Sequence, residues 1–371
     1  MTTSTYRYLF ADLLTGSILA ELPLTSVNFT QAQNAAGTFS GDIIISDATE
    51  TALNIINATQ PARTALYVDR NGVLIWGGII WYRQYDSDSQ HLQVTAREFL
   101  SYFERRRINT DQVYTNTDQL AIARNLIALA QSTPNGNIGV QVGAETSGVL
   151  ISRTFHAYEQ KTVYAALLEL SQATNGFDFD IQVAYDGGGN PTATLRLGYP
   201  RLGTAYSSTN ASAPVLDFPG NAIAYQYAED GSLAATSFTA VGAGSNEGQI
   251  QSNQISTTQL AAGWPLLEDV ASYSDLTDTT LLGNLATGRL NASINPPVTL
   301  QMTMPPYADP TLGTYNVGDD VRVRIDDDRF PNLLDVPNAT DSTTYRLVGL
   351  TVTPGESSGE RVTLSLTLGT Y

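Results

Sequence analysis

Hydrophobic and polar positions alternate with period two along much of the chain, the pattern of strands that bury one face. Tyr6 to Asp12, a Thr15-Gly16 turn and Ile18 to Leu22 ahead of Pro23 predict a β-rich start. The segments TALYVDR and VLIWGGIIWYR flank Asn71-Gly72, a pair that tolerates positive φ and predicts a two-residue type I′ hairpin. In the second of these strands Val73, Ile75, Ile79 and Trp81 alternate with Leu74, Trp76, Ile80 and Tyr82. Both faces are apolar, so both need a cover. Leu92, Val94 and Ala96 then alternate with Gln93, Thr95 and Arg97 as a half-exposed strand, and Glu98 to Arg107 reads as a short Arg-rich helix.

Beyond residue 106 the period becomes helical. Thr117 can cap a helix whose Leu120, Ala123, Leu126, Ile127 and Ala130 share one face, with Pro134 and Gly136 as its stop. A second helix is predicted from Thr162, burying Tyr164, Leu167 and Leu168 and ending at Asn175-Gly176, and it leads into a hairpin, FDFDIQVAY to TATLRLGY. Further strands are expected at Ala222 to Ala228 and Ala235 to Val241. Residues 265 to 292 read as a helical turn and a longer helix capped at Asp275 or Thr277. Alternation returns at Val298 to Met304, Val321 to Ile325, Tyr345 to Thr353 and Val362 to Leu368, which suggests a second small barrel. The expected fold class is mainly β with α+β parts: two small β-barrel domains plus an α+β region.

Composition narrows what such a fold can do. The chain of 371 residues is 42% hydrophobic and 15% charged. It has no apolar run near the roughly 18 residues a membrane helix needs, so a globular chain of two or three domains without a membrane segment is expected. Acidic residues number 36 against 19 basic ones, a net charge of -17, and Lys161 is the sole lysine. Residues 216 to 371 hold 18 of the acids and 6 of the bases, or -12 of the total. That sign is wrong for gripping a phosphate backbone. It fits either a solvated acidic face or a surface that repels an anion. The lack of cysteine excludes disulfides, zinc ribbons and thiol nucleophiles. MTTSTYRYLFADLL has no basic, apolar and cleavage regions of a secretory leader, so a cytoplasmic start is expected.

Catalytic constellations are sparse. A serine hydrolase needs a base beside its nucleophile, and the chain has only His91 and His156. Gly355 to Gly359 around Ser357 matches G-x-S-x-G, but it joins two strands where a nucleophile elbow must turn a strand into a helix. Gly242, Gly244 and Gly248 follow a strand without dinucleotide-binding spacing or a following helix, and Lys161 has no glycine-rich loop before it. The acidic groups Asp86 with Asp88, Asp319 with Asp320, and Asp326 to Asp328 lack the glycine and closing glutamate of a calcium loop and read as turn residues. Trp76, Trp81 and Tyr82 could form a sugar platform, but a strand apolar on both sides favours packing. No catalytic, cofactor or metal residue is assigned.

The segments YLFADLLTGSILAELPL, ALYVDRNGVLIWGGIIWYR, LQVTAREFLSYFERRRI, FTAVGAGSNEG, WPLLEDV with LLGNLATGRL, NVGDDVRVRI and YRLVGLTVTPGESSGERVTLSLTLGT resemble, in that order, the minor tail proteins that form the tail hub of long-tailed actinobacterial phages. Residues 106 to 215 carry the least of this likeness. The resemblance implies a homotrimeric virion protein of the tail tip, assembled in the host cytoplasm. Two barrels per subunit would make a pseudo-sixfold ring that continues the tail tube. The first barrel would be 1 to 105, the second 216 to 243 with 296 to 371, and residues 106 to 215 and the mostly helical insert 244 to 295 would pack together. The implied partners are the distal tail protein, the tape measure protein and other minor tail proteins, with DNA passing through without specific binding. The acidic excess would then face the channel. Apolar residues beyond the needs of one core, Trp76, Ile79, Trp81, Phe99 and Phe103, are the expected subunit contacts. A hexameric distal tail or tube protein and a secreted carbohydrate-binding module are the alternatives.

Overall fold

The computed structural model describes residues 4–46, 54–206, 213–294, 298–305, 308–327, 343–355 and 359–368. The N-terminal part comprises β1 (Tyr6–Asp12), β2 (Ile18–Glu21), β3 (Thr25–Ala32), β4 (Thr38–Ile44), α1 (Ile55–Ala58), β5 (Thr64–Arg70), β6 (Val73–Asp86), β7 (His91–Glu98) and α2 (Leu100–Phe103). The β5–β6 hairpin turns where expected, with φ of 55° at Asn71 and 86° at Gly72. The Arg-rich helix shrinks to the four residues of α2, because Glu98 still belongs to β7 and pairs with Gly78.

The middle part holds β8 (Gln112–Asp118), α3 (Gln119–Gln131), β9 (Val140–Val142), β10 (Leu150–Phe155), α4 (Val163–Ser171), β11 (Asp178–Tyr185) and β12 (Pro191–Gly198). Asp118, not Thr117, caps α3, accepting from the N–H groups of Leu120 and Ala121, since a carboxylate meets the orphan donors and the positive end of the helix together. Thr162 caps α4 as its position predicts. That helix ends at Ser171, and Asn175, with φ 61°, takes the left-handed position expected of Gly176.

The C-terminal part runs β13 (Val215–Phe218), β14 (Ala224–Glu229), β15 (Ser237–Val241), β16 (Gln251–Ile255), α5 (Thr257–Ala261), β17 (Glu268–Ser272), α6 (Thr279–Ser293), β18 (Val298–Met304), β19 (Asp320–Ile325), β20 (Thr343–Thr353) and β21 (Arg361–Leu368). β15 was expected in the second barrel, with β14. It lies instead between β16 and β17 in a separate three-stranded sheet, against which α6 packs Leu281, Leu282, Leu285 and Leu290 over Phe238 and Ala240. The predicted helical turn at 265 onward is strand β17, parallel to β15, and Asp278 caps α6. A lone apolar position in EDVAS gives no strand period by itself, so its β state depends on the partner strand.

The two expected barrels are one sheet. Its order is β14-β18-β21-β20-β3-β4-β7-β6-β5-β1-β2, with β19 branching from β20 and carrying β13. The described strands close no barrel. The physical reason is β20: it is 11 residues long and pairs with β21, with β19 at one end, and with β3 through Gly349 to Val352. The β3–β20 seam joins N-terminal and C-terminal halves, and one apolar core runs across it from Phe10, Phe29 and Trp76 to Leu300, Leu347 and Leu364. The sheet curls until Tyr6 on β1 and Arg70 on β5 both reach the Glu360 carboxylate ahead of β21, with Arg70 Nε at 2.7 Å.

Candidate assembly surfaces

The five residues expected at subunit contacts sit on β6 and the turn into α2, and the structure assigns four of them to the chain's own interior. Trp76 and Ile79 are fully buried, Phe103 equally so, and Phe99 is 1% exposed. Trp76 donates its indole N–H to the Thr30 carbonyl at 3.0 Å and packs its ring 5.3 Å from Phe39. The apolar excess on β6 is real, but its second cover is supplied in cis. Leu74, Ile79, Phe99 and Phe103 join a second core with α3, α4, β11 and β12. Gly77 allows that contact, since a Cβ there would meet the Val183 side chain at 2.6 Å. Trp81 alone of the five remains half-buried, donating to Ser101 Oγ at 2.8 Å.

Charged groups tie these layers together. Arg153 on β10 is 1% exposed and pairs with Glu169 of α4, Nε to Oε1 at 2.9 Å, and with Asp275 in the loop before α6. Lys161 joins the same two carboxylates, reaching Asp275 at 2.5 Å, and Arg153 lies 4.4 Å over the Phe155 ring. Burial opposes the charge on Asp275, yet Arg153 and Lys161 hold its carboxyl at about 2. Neighbouring Glu159 is raised by burial and by that carboxylate. This cluster fastens the three-stranded sheet and α6 to the middle part. Arg346 to Asp178 and Arg201 to Asp320, the latter at 2.5 Å, fasten the middle part to β20 and β19. Sequence reading missed the cluster because its members are up to 122 residues apart. The one available signal was the sole lysine, which was placed only as a helix-start residue.

Other singled-out residues prove structural. His156 lies 3.3 Å from Asp111 and stacks on Tyr158, and His91 opens β7. Asp86 accepts the backbone N–H of Asp88 and Ser89, and Asp319 those of Thr204 and Asn316. Asp320 pairs with Arg201, and Asp327 accepts from Tyr225. Ser357 and Asp328 lie outside the described residues. Among the described residues no group of three or more His, Asp or Glu is placed to hold a metal ion, and no helix is long and apolar enough to cross a membrane.

The acids of residues 216 to 371 are divided in use. Asp217 pairs with Arg324 at 2.5 Å, Glu360 with Arg70, and Asp230 and Asp278 cap turns. Glu229, Glu247, Glu268, Asp269 and Asp309 are exposed, and they lie at strand ends, in loops and on β17. Among the described residues the main sheet ends in β2 and β14 along its main path and in β13 on the β19 branch.

No protein-family model matches this chain, and no curated protein matches it. Solved structures do. The 43 kDa tail protein of prophage MuSo2 from Shewanella oneidensis superposes with a TM-score of 0.60 at 12% identity, covering 98% of each chain. The tail protein from Neisseria meningitidis MC58 gives 0.58 at 13% identity, over 98% of this chain and 96% of that one. A chain of the half-lidded Francisella PdpA-VgrG complex gives 0.55 at 7% identity, over 99% of this chain and 58% of that one. At such identities the likeness is one of fold, and with the two tail proteins it extends from end to end: the chain has their fold.

Proposed function

We propose that the chain is a structural subunit of a phage tail tip, a hub that assembles as a homotrimer and continues the tail tube. The observation that carries this reading is the end-to-end likeness to prophage tail proteins of nearly the same length. A part-chain match would allow a borrowed module; 98% coverage on both sides favours the whole architecture. The fused sheet supports it further. A three-subunit ring with six β units needs two such units side by side in each chain, and the β3–β20 seam joins an N-terminal and a C-terminal β unit.

In this reading the hub joins the distal tail protein, the tape measure protein and other minor tail proteins in the virion. DNA passes through its centre without specific binding, and a net charge of -17 offers no basic excess to retain phosphate. No reaction is assigned to the chain. Native mass spectrometry over a range of concentrations tests the subunit count. A trimer is expected. A hexamer would favour a distal tail or tube protein, and a stable dimer would overturn the hub.

A further inference from the structure

The main sheet has surfaces with different fates. One face covers the first core, and the opposite face of β1, β5 and β6 is covered by the middle part. The opposite face of β4, β3, β20, β21, β18 and β14 meets the middle part at Arg346, which bonds Asp178 and the Leu202 carbonyl; elsewhere, from Thr38 on β4 across to Ala224 on β14, its described side chains are exposed or half-buried. Strand register sets these side chains in rows. Thr303 pairs with Thr363, Thr363 with Thr351 and Thr351 with Thr30, whose Oγ1 lies 3.1 Å from that of Thr38. Five threonines thus stand abreast on five adjacent strands, about 4.8 Å apart by the geometry of a sheet.

The flanking rows are mostly uncharged, with Arg361 at the end of one of them, in register with Thr353. Gln226, Gln301 and Ser365 are in register on one side. On the other, Asn28 donates to Thr353 Oγ1 at 3.0 Å and pairs with Ser40. Charge lies toward the ends of the strands, at Arg361 and Asp42, at Arg97, which is paired with Glu104, and at Arg346 on β20, which is paired with Asp178. Polar-out alternation explains why these positions are polar. It does not explain why the acids, 36 in this chain against 19 basic residues, are so sparse on this face.

We propose that this threonine-rich face lines the conduit of the hub, and that its occupant is duplex DNA in transit, which it neither retains nor repels. The assignment rests on the hub reading above. Duplex DNA carries one negative charge per about 1.7 Å of axis, so a lysine or arginine lining would hold it by counterion release. A carboxylate lining would oppose its entry. Hydroxyls and amides keep water on the wall and exchange hydrogen bonds for little net gain. The described exposed acids of residues 216 to 371 lie in turns, at strand ends and on the small sheet, so the lining is neutral where an acidic one was expected.

The absence of cysteine makes the test clean. Thr363→Cys and Thr30→Cys on this face, and Ser272→Cys on the exposed side of β17 as control, are each assembled as full chains and treated with a small maleimide dye or a large polyethylene-glycol maleimide. Thr363→Cys and Thr30→Cys should label with the dye and lose labelling by the polymer on assembly, while Ser272→Cys labels with both. Loss of both reagents would make the face a contact between copies, and retention of both would make it outer wall; either overturns the proposal. The mass of the same sample reports whether the ring formed, so failure of the hub reading is seen separately. A Thr351→Lys, Thr363→Lys double variant should in addition retain labelled duplex DNA in a salt-dependent manner that the parent protein lacks. No retention in an assembled ring would also count against the proposal.

Discussion

Glu98 shows how one buried side chain sets a pH response. It is buried, 9% exposed, between β7 and the β3–β4 turn, accepting the Gly37 N–H at 2.7 Å. Burial raises its carboxyl to about 8, the Gly37 hydrogen bond opposing and the Asp180 carboxylate reinforcing the rise. The folded chain therefore keeps the proton that the unfolded chain gives up near its ordinary value. Its contribution to stability is full below about pH 4.5 and is lost as pH rises through about 8. Denaturant midpoints measured across that window should fall for the parent protein and flatten for Glu98→Gln. Arg153→Met probes the opposite case, because it leaves Glu169 and Asp275 buried with only Lys161. Losing one member of a buried pair costs about 3–5 kcal/mol, measurable by urea unfolding. Trp76→Ala should cost about 3–5 kcal/mol as a core truncation, with no effect on subunit count beyond lost stability, since its ring touches only its own chain's core.

Elements differ in how much of them the sequence announces. Period-two alternation located β5, β6, β7, β18 and β21, and helical period located α3 and α4, because in each the buried face is set by neighbours close in sequence. What failed depended on distant partners. β15 joined β17, and the expected two barrels fused at β3–β20, a pairing between residues more than 300 positions apart. The same limit explains the contact residues: doubled apolarity on β6 shows that a second cover exists, not whether it comes from the same chain. The threonine rows were equally hidden, since alternation gives Thr363 and Thr351 an outward direction but only register sets them abreast. Gly288 tests the attachment of α6. A Cβ there would fall 2.3 Å from the Gln172 carbonyl, and Thr174 already donates to the Asn284 carbonyl at 3.0 Å. Gly288→Val should push α6 off the middle part. Hydrogen exchange should quicken in β15, β16 and α6 and stay unchanged across β20 and β21; equal loosening of both regions would contradict this division.

For the whole molecule, the arrangement of layers favours assembly through the main sheet. Its first core and the middle part are satisfied in cis. Among the described residues the main sheet leaves uncovered its edges, β2, β14 and β13, and much of one threonine-rich face. Short edge strands with exposed backbone groups are places where a second chain can pair. Charge enters at this scale as well. The described exposed acids of residues 216 to 371 lie in loops, at strand ends and on β17. Replacing Trp81, the half-buried aromatic of β6, with Asp separates packing from assembly. Loss of the assembled form with a retained monomer fold places Trp81 at a contact, while normal assembly removes it.

The central claim is a threefold hub built around an open centre, and symmetry is its most direct test. Negative-stain imaging of the purified chain, over a concentration range and with the adjoining tail protein present, should show a ring with three repeating lobes and a hole. A sixfold ring or a compact dimer without a hole would contradict it.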